Sequence, residues 1–356
     1  MIPYLTLLFL VVFIACLGRQ TWNRNLKISS LYLIGFILIF FAGVRDLSVG
    51  TDTYTYVSFL NIIQSLQDIS TFQLEPGFSL LVLVANKLSD GHILYLSLIA
   101  LIVVFLHIKT IYHLVQKYEI SLFIFIAFGT YTFFFNGARQ AIAAAIVFAA
   151  IPSLLDKKFW KYLIFIFIAF FFHKSAILAM PLYFLAKPYI GLRQWAFVFI
   201  GIAILTVFLS SFAQFAVFAL GDRYEGYDVN DSGGGGLVTG IFLLCQAIAL
   251  YILRPRNSDY TEVYNKLLNI FLIGLVFVGV SVLSNVNPSG ILRLHIYFTS
   301  MSIILWPILF VSLKDKRLRE IVGFSLFFVS ILYFYLTTNS FSKLVPYTIN
   351  PILEII

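Results

Sequence analysis

Six short stretches hold the side chains of this chain that could do chemistry. RDLSVGTDTYTY (45–56) offers Arg45, Asp46 and Asp52 around Gly50, and LEPGF (74–78) sets Glu75 ahead of Pro76-Gly77. FNGARQ (135–140) carries Arg139 and Gln140 just past Asn136-Gly137, and FFHKSA (171–176) carries His173 and Lys174. GDRYEGYD (221–228) combines Arg223 with Tyr224 and Tyr227, and NPSGILRLHIY (287–297) puts Arg293 about one turn from Tyr297 on one helix face. Guanidinium and ammonium groups bind phosphate oxygens. Carboxylates and imidazole exchange protons. Tyrosine beside cations and carboxylates suits sugar stacking.

Each residue also has an ordinary reading. Arg139 and Arg293 could snorkel from helix ends. Asp52, or Thr51, could cap a surface helix, and Glu75 could be a helix-start acid. His173 with Lys174 could simply break one long apolar run into two short helices. Tyrosine is common at any membrane boundary. Arg139 is the strongest of the set. It falls in the first turn of a helix opened by Asn136-Gly137, and a cation there repels the helix dipole unless an anion is near. A charge inside a span also costs about 2.5–3.5 kcal/mol on insertion scales.

The elements that must position these residues are apolar helices. The chain has 356 residues, 61% hydrophobic and 11% charged, against roughly a quarter charged in soluble domains. Its mean hydropathy is +0.96. Apolar runs long enough to cross about 30 Å of hydrocarbon recur from end to end. The expectation is an all-α polytopic integral membrane protein forming a single transmembrane domain over 1–356. Spans fall near 2–17, 29–44, 93–113, 120–135, 138–155, 195–219, 237–253, 267–284, 292–313 and 320–337. Two shorter runs lie at 159–172 and 176–186, which brings the total to about twelve. The first run lacks a basic n-region and a cleavage site, so it reads as a retained span. EPGFSLLVLVANKLS (75–89) is short and reads as re-entrant or interfacial. Cys16 and Cys245 lie in apolar runs with no metal-ligand or disulfide spacing.

The net charge of +8 comes from lysines and arginines scattered through short loops, a pattern of membrane topology and not of nucleic-acid binding. Segments 18–28, 156–161, 187–193 and 314–320 are net basic and are expected in the cytoplasm. Segments 45–75 and 221–236 are net acidic and are expected outside, so that loops near 45–92 and 220–236 are external. The chain threads these constraints only if 75–89 does not cross, with both termini outside. Arg45, Arg139, His173 with Lys174, Arg223 and Arg293 then share the external face, which the positive-inside bias should deplete of cations. Such a face, with carboxylates and tyrosines at headgroup level, suits a pyrophosphate-linked lipid and a sugar. Gly233–Gly236 lets the second external loop approach a ligand closely.

In order, RDLSVGTDTYTY, LEPGF, FNGARQAIA, FFHKSA, RYEGY and ILRLHIY resemble the motifs of EpsG/Wzy-type polysaccharide polymerases, over about residues 45–297. That resemblance implies a GT-C-like multi-helix fold in the bacterial inner membrane, with re-entrant or broken helices near the periplasmic face. It also implies an enzyme that joins undecaprenyl-pyrophosphate-linked oligosaccharide units into O-antigen or exopolysaccharide at that face. Its motif cations correspond to Arg45, Arg139, Lys174, Arg223 and Arg293, with Asp52, Glu75 and His173 beside them. A flippase and a chain-length regulator are implied as partners.

Arginines at the departing pyrophosphate would stabilise the transition state without a metal or other cofactor. Base candidates for the acceptor hydroxyl are His173, Asp52 and Glu75, in that order. Two rivals need similar residues. A flippase for the same lipid should show two similar halves and cations along its path, whereas these crowd one face. An acyltransferase or polysaccharide ligase would also use a histidine.

Overall fold

The computed structural model describes residues 1–71, 74–89, 91–209, 211, 214, 235–284 and 290–351. Helices follow the apolar runs. They are α1 (Ile2–Gln20), α2 (Arg24–Gly43), α3 (Thr53–Ile62), α4 (Leu66–Thr71), α5 (Pro76–Leu88), α6 (His92–Leu114), α7 (Tyr118–Ala127), α8 (Ala138–Leu155) and α9 (Phe159–Phe172). Then come α10 (Leu182–Leu185), α11 (Leu192–Val207), α12 (Gly235–Ile252), α13 (Thr261–Leu283), α14 (Ile296–Thr299), α15 (Ser302–Ser312) and α16 (Lys316–Leu336). Among the described residues eight helical stretches are long and apolar enough to cross a bilayer, and five more apolar helices are shorter. The protein is therefore a polytopic α-helical membrane protein. Segment 75–89 forms the 13-residue α5, which at 1.5 Å per residue is too short to cross 30 Å of hydrocarbon.

The chain divides into two compact units. The first comprises Met1–Pro152, Trp160–Ile177 and Phe327–Ile356, and the second Ser153–Phe159 and Leu178–Leu326. In the first unit α2 packs against α1 and α6, and α1 packs against α7. Between α2 and α6 the chain makes three short helices, with α5 lying against α3, α4 and α6. Residues 342–351 return across this region by backbone pairing. Asp46 N–H donates to the Thr348 carbonyl and Asn350 N–H to that of Val44, while Gly50 N–H donates to Lys343. Tyr347 stacks on Phe41, with ring centroids 4.2 Å apart, and meets Tyr4 edge-on.

In the second unit α13 is the central element, packing against α11, α12 and the segment 291–312. That segment is not one regular helix. Arg293 lies in the 3₁₀ turn Ile291–His295, and Tyr297 belongs to the following α14. Ser300 and Thr299 hydroxyls return to carbonyls four residues back, contacts that tend to bend a helix. The expected shared helix face of Arg293 and Tyr297 is thus interrupted by a change of helix type.

Candidate functional site

The site in the first unit begins with Glu75. It occupies the N-cap of α5, with Pro76 at the first helical position, yet its side chain does not cap that helix. Pro76 supplies the helical φ and lacks an N–H that would need a cap. Gly77 brings α5 against the C-terminal end of α9, where an added Cβ would lie 2.9 Å from the Phe171 carbonyl oxygen. The carboxylate is thereby set beside His173, the residue after α9. His173 Nδ1 lies 2.9 Å from Glu75 Oε1, and Arg139 Nη1 donates to Glu75 Oε2 at 2.6 Å.

Arg139 enters from the first turn of α8, and its guanidinium donates to the Tyr56 hydroxyl of α3. Tyr56 was missed as a site residue at the level of sequence. The signal was there, because Thr53, Tyr56 and Leu60 recur at helical spacing and form the buried stripe of α3.

The side chains of Glu75 and His173 are 7% and 13% exposed, and that of Arg139 is 22% exposed. Burial pushes the Glu75 carboxyl up, but the hydrogen bond from His173 and the Arg139 charge outweigh it and bring its pKa down to about 2. Glu75 is thus an anion at neutral pH. The Arg139 Nε–H is buried and has no hydrogen-bond partner among the described residues, which costs on the order of 1–3 kcal/mol. The anion expected near the start of α8 is present within the chain itself, in Glu75.

The loop between α2 and α3 is fixed from below. Arg45 is only 1% exposed. Its guanidinium sits 4.1 Å from the Phe135 ring centroid, donates to the Ala42 carbonyl, and reaches Thr53 Oγ1 through Nε. Asn136 clamps two segments, accepting from Thr51 N–H and donating to the Ser342 carbonyl, each at 2.8 Å. Gly50, at φ 97°, leaves room for that clamp, since a Cβ would stand 2.7 Å from Asn136 Oδ1. Asp52 is the N-cap residue of α3, and its carboxylate accepts no capping hydrogen bond from that helix.

The structure therefore brings together three predicted residues, Glu75, Arg139 and His173. Gln140 is buried on α8 beside Arg139, and Lys174 opens the 3₁₀ turn Lys174–Ala179 directly after His173. Arg293 and Tyr297 belong to the second unit, where Tyr297 is buried. Arg223, Tyr224 and Tyr227 lie outside the described residues, as do all the other positions of 221–234.

A carboxylate bonded to imidazole Nδ1 selects the tautomer whose lone pair is on Nε2 and stabilises the ring once it is protonated. A guanidinium on the other carboxylate oxygen fixes the carboxylate's plane. Such an arrangement can accept a proton at His173 Nε2, with a cation close by.

No curated protein and no solved structure matches the chain. The model of the EpsG family matches residues 28–349, a stretch that includes the loop held by Arg45, the Arg139–Glu75–His173 group, Arg293 and most of the returning segment. Over residues 28–349, and so over most of its length, this chain is a member of the EpsG family of membrane polysaccharide polymerases.

Proposed function

We propose that the protein polymerises undecaprenyl-pyrophosphate-linked oligosaccharide repeat units into O-antigen or exopolysaccharide at the periplasmic face of the bacterial inner membrane. The observation that carries this reading is the Arg139–Glu75–His173 constellation, built at the broken end of α9. His173 Nε2 takes the proton of the acceptor sugar hydroxyl. The freed oxygen pair forms a bond to the anomeric carbon of the donor unit. The anomeric C–O bond to pyrophosphate breaks, and its electron pair leaves on undecaprenyl pyrophosphate. Glu75 stabilises the imidazolium that results.

Arg139 has two tasks in this scheme. It holds Glu75 in plane, and its remaining N–H donors, with Lys174 and Gln140, meet the charge that builds on the leaving pyrophosphate. Arg45, enclosed among Phe135, Ala42 and Thr53, acts by bracing the loop that leads to Asp52 and Tyr56. The family resemblance implies the same ligand for Arg223, Arg293 and the tyrosines near them. A GT-C-like arrangement of about twelve spans is the architecture that this reading assumes. Direct displacement by the acceptor would invert the anomeric centre.

The reading is tested in cells lacking the native protein and complemented at matched membrane expression. Wild type should give a polymer ladder, and His173→Ala or Arg139→Ala should leave single repeat units. A full ladder from both variants would overturn it.

A further inference from the structure

In the second unit three lysines from three separate elements converge on a cavity of about 310 Å³. Lys157 follows α8, Lys187 lies in the segment after α10, and Lys266 is on α13. Each lysine is held in place, Lys157 and Lys187 through their backbones and Lys266 by its seat on α13 and its pair with Glu262. Lys157 N–H bonds the Leu154 carbonyl and Lys158 N–H that of Ser153, which is the hydrogen-bond pattern that ends a helix on a left-handed residue. Lys157 occupies that left-handed position, at φ 58°, where glycine would be unstrained. The chain thus accepts backbone strain to place a lysine there.

Lys187 is fixed through its backbone. Asn269 Nδ2 donates to the carbonyls of Lys187 and Tyr189, and Asn265 Nδ2 donates to that of Pro188. Both asparagines are buried on α13. Lys266 is itself buried at 7% exposure. It pairs at 2.6 Å with Glu262, whose side chain is 59% exposed. Three cations against one carboxylate leave the cavity at net +2. The remaining wall is apolar and aromatic, including Tyr183 and Phe184.

Scattered loop lysines are what the positive-inside rule expects, and segments 156–161 and 187–193 belong to the net-basic set. Scatter does not require convergence on one concave space, a buried lysine, or a lysine at a glycine position. The geometry points to a binding site for a phosphate-bearing anion at the cytoplasmic end of the second unit, formed by Lys157, Lys187 and Lys266. Ammonium groups act as point charges on the phosphate oxygens, and basic pockets between spans on the cytoplasmic side take lipid phosphates. The phosphate can come from an anionic lipid headgroup or from solution. The site stands independently of the chemistry assigned to His173.

The test uses the full chain in nanodiscs, with unfolding temperature as the readout. One arm titrates phosphatidylglycerol into phosphatidylcholine discs. The other adds inorganic phosphate to phosphatidylcholine-only discs, against chloride at equal ionic strength. Wild type should show a saturable rise in one arm, and the responding arm names the source. Lys157→Gly and Lys187→Gln should each raise the half-saturating concentration about fivefold, and the double variant about 25-fold. Lys157→Gly should unfold no earlier than wild type without the anion, because it relieves the left-handed strain, so its weakened response cannot be misfolding. Lys316→Gln, at a lysine 82% exposed at the start of α16 in another basic segment, should change the response less than twofold. No saturable rise in either arm, an unaltered response in the double variant, or an equal loss in Lys316→Gln would overturn the proposal.

Discussion

His173 Nδ1 and Glu75 Oε1 lie 2.9 Å apart although 98 positions separate the two residues in the chain. The contact is made where two broken elements meet, the start of α5 and the end of α9. Under the proposed mechanism it makes Glu75 a positioning residue for the histidine. Glu75→Gln preserves shape and removes the charge that stabilises imidazolium. Single-turnover chain growth should fall by roughly 10²–10⁴-fold, with the substrate concentration for half-maximal rate changed only a few-fold. A Gln variant working at the wild-type rate would remove Glu75 from the mechanism.

Gly77→Ala probes the same contact from the side of packing. The new methyl would stand 2.9 Å from the Phe171 carbonyl oxygen and 3.1 Å from its carbon, and backbone atoms cannot rotate away. The start of α5 must shift, at a cost of about 1–3 kcal/mol, and must carry Glu75 away from His173. Unfolding temperature and chain growth should fall together, with growth falling further than the loss of folded protein explains.

Much of the framework was legible because charge and Pro/Gly punctuation delimit it. The spans expected at 138–155 and 159–172 coincide with α8 and α9, bounded by Asn136-Gly137, the Asp156–Lys158 turn and His173. The run at 120–135 was legible only as apolar. It folds as α7 followed by a 3₁₀ turn at Thr132–Phe135, and hydropathy does not distinguish helix types. Segment 45–75 was expected as an external loop. It contains α3 and α4, short helices whose exposed sides carry Tyr54, Ile62 and Leu66 as well as polar residues, so the apolar stripe of α3 does not stand out from them.

The members of the site were legible from the cost of charge in an apolar chain, but their partners were not. Nothing local tells Arg139 that its anion is Glu75, 64 positions earlier. Likewise nothing in RDLSVG announces that Arg45 is stacked on Phe135 and crossed by the returning segment at Ile349.

Acid should dissolve the Glu75 contribution within a defined window. Its folded pKa, about 2, lies below its ordinary 4.5, so the folded state binds the proton less readily than the unfolded one. The stabilisation is fully present above pH 4.5 and is lost as pH falls from there through about 2. Unfolding temperatures of wild type and Glu75→Gln in the same detergent should differ most at pH 6 and converge toward pH 2.5. A difference that stays constant across that range would contradict the ionised, paired carboxylate.

Arg45 should separate stability from chemistry. Arg45→Ala removes a buried cation from the Phe135 ring and from two hydrogen bonds. The loss should be about 1–3 kcal/mol, because the Ala42 carbonyl is left without its donor and the stack on Phe135 is gone. Arg45→Lys should recover only part of it, since an ammonium cannot stack as guanidinium does. Chain growth per folded molecule should remain within about threefold of wild type in Arg45→Lys. A hundredfold loss in a fully folded Lys variant would instead place Arg45 among the groups that meet substrate.

The central claim is that His173, oriented by Glu75 and flanked by Arg139, removes the acceptor proton as lipid-linked units are joined. The most direct measurement gives purified protein only the lipid-linked repeat unit and follows both polymer length and released undecaprenyl pyrophosphate. Wild type should elongate chains and release one lipid pyrophosphate per bond formed. His173→Gln should bind the unit normally and elongate at least 10²-fold more slowly. Wild type that transfers nothing without a separate acceptor or acyl donor, or His173→Gln that elongates at the wild-type rate, would contradict the account.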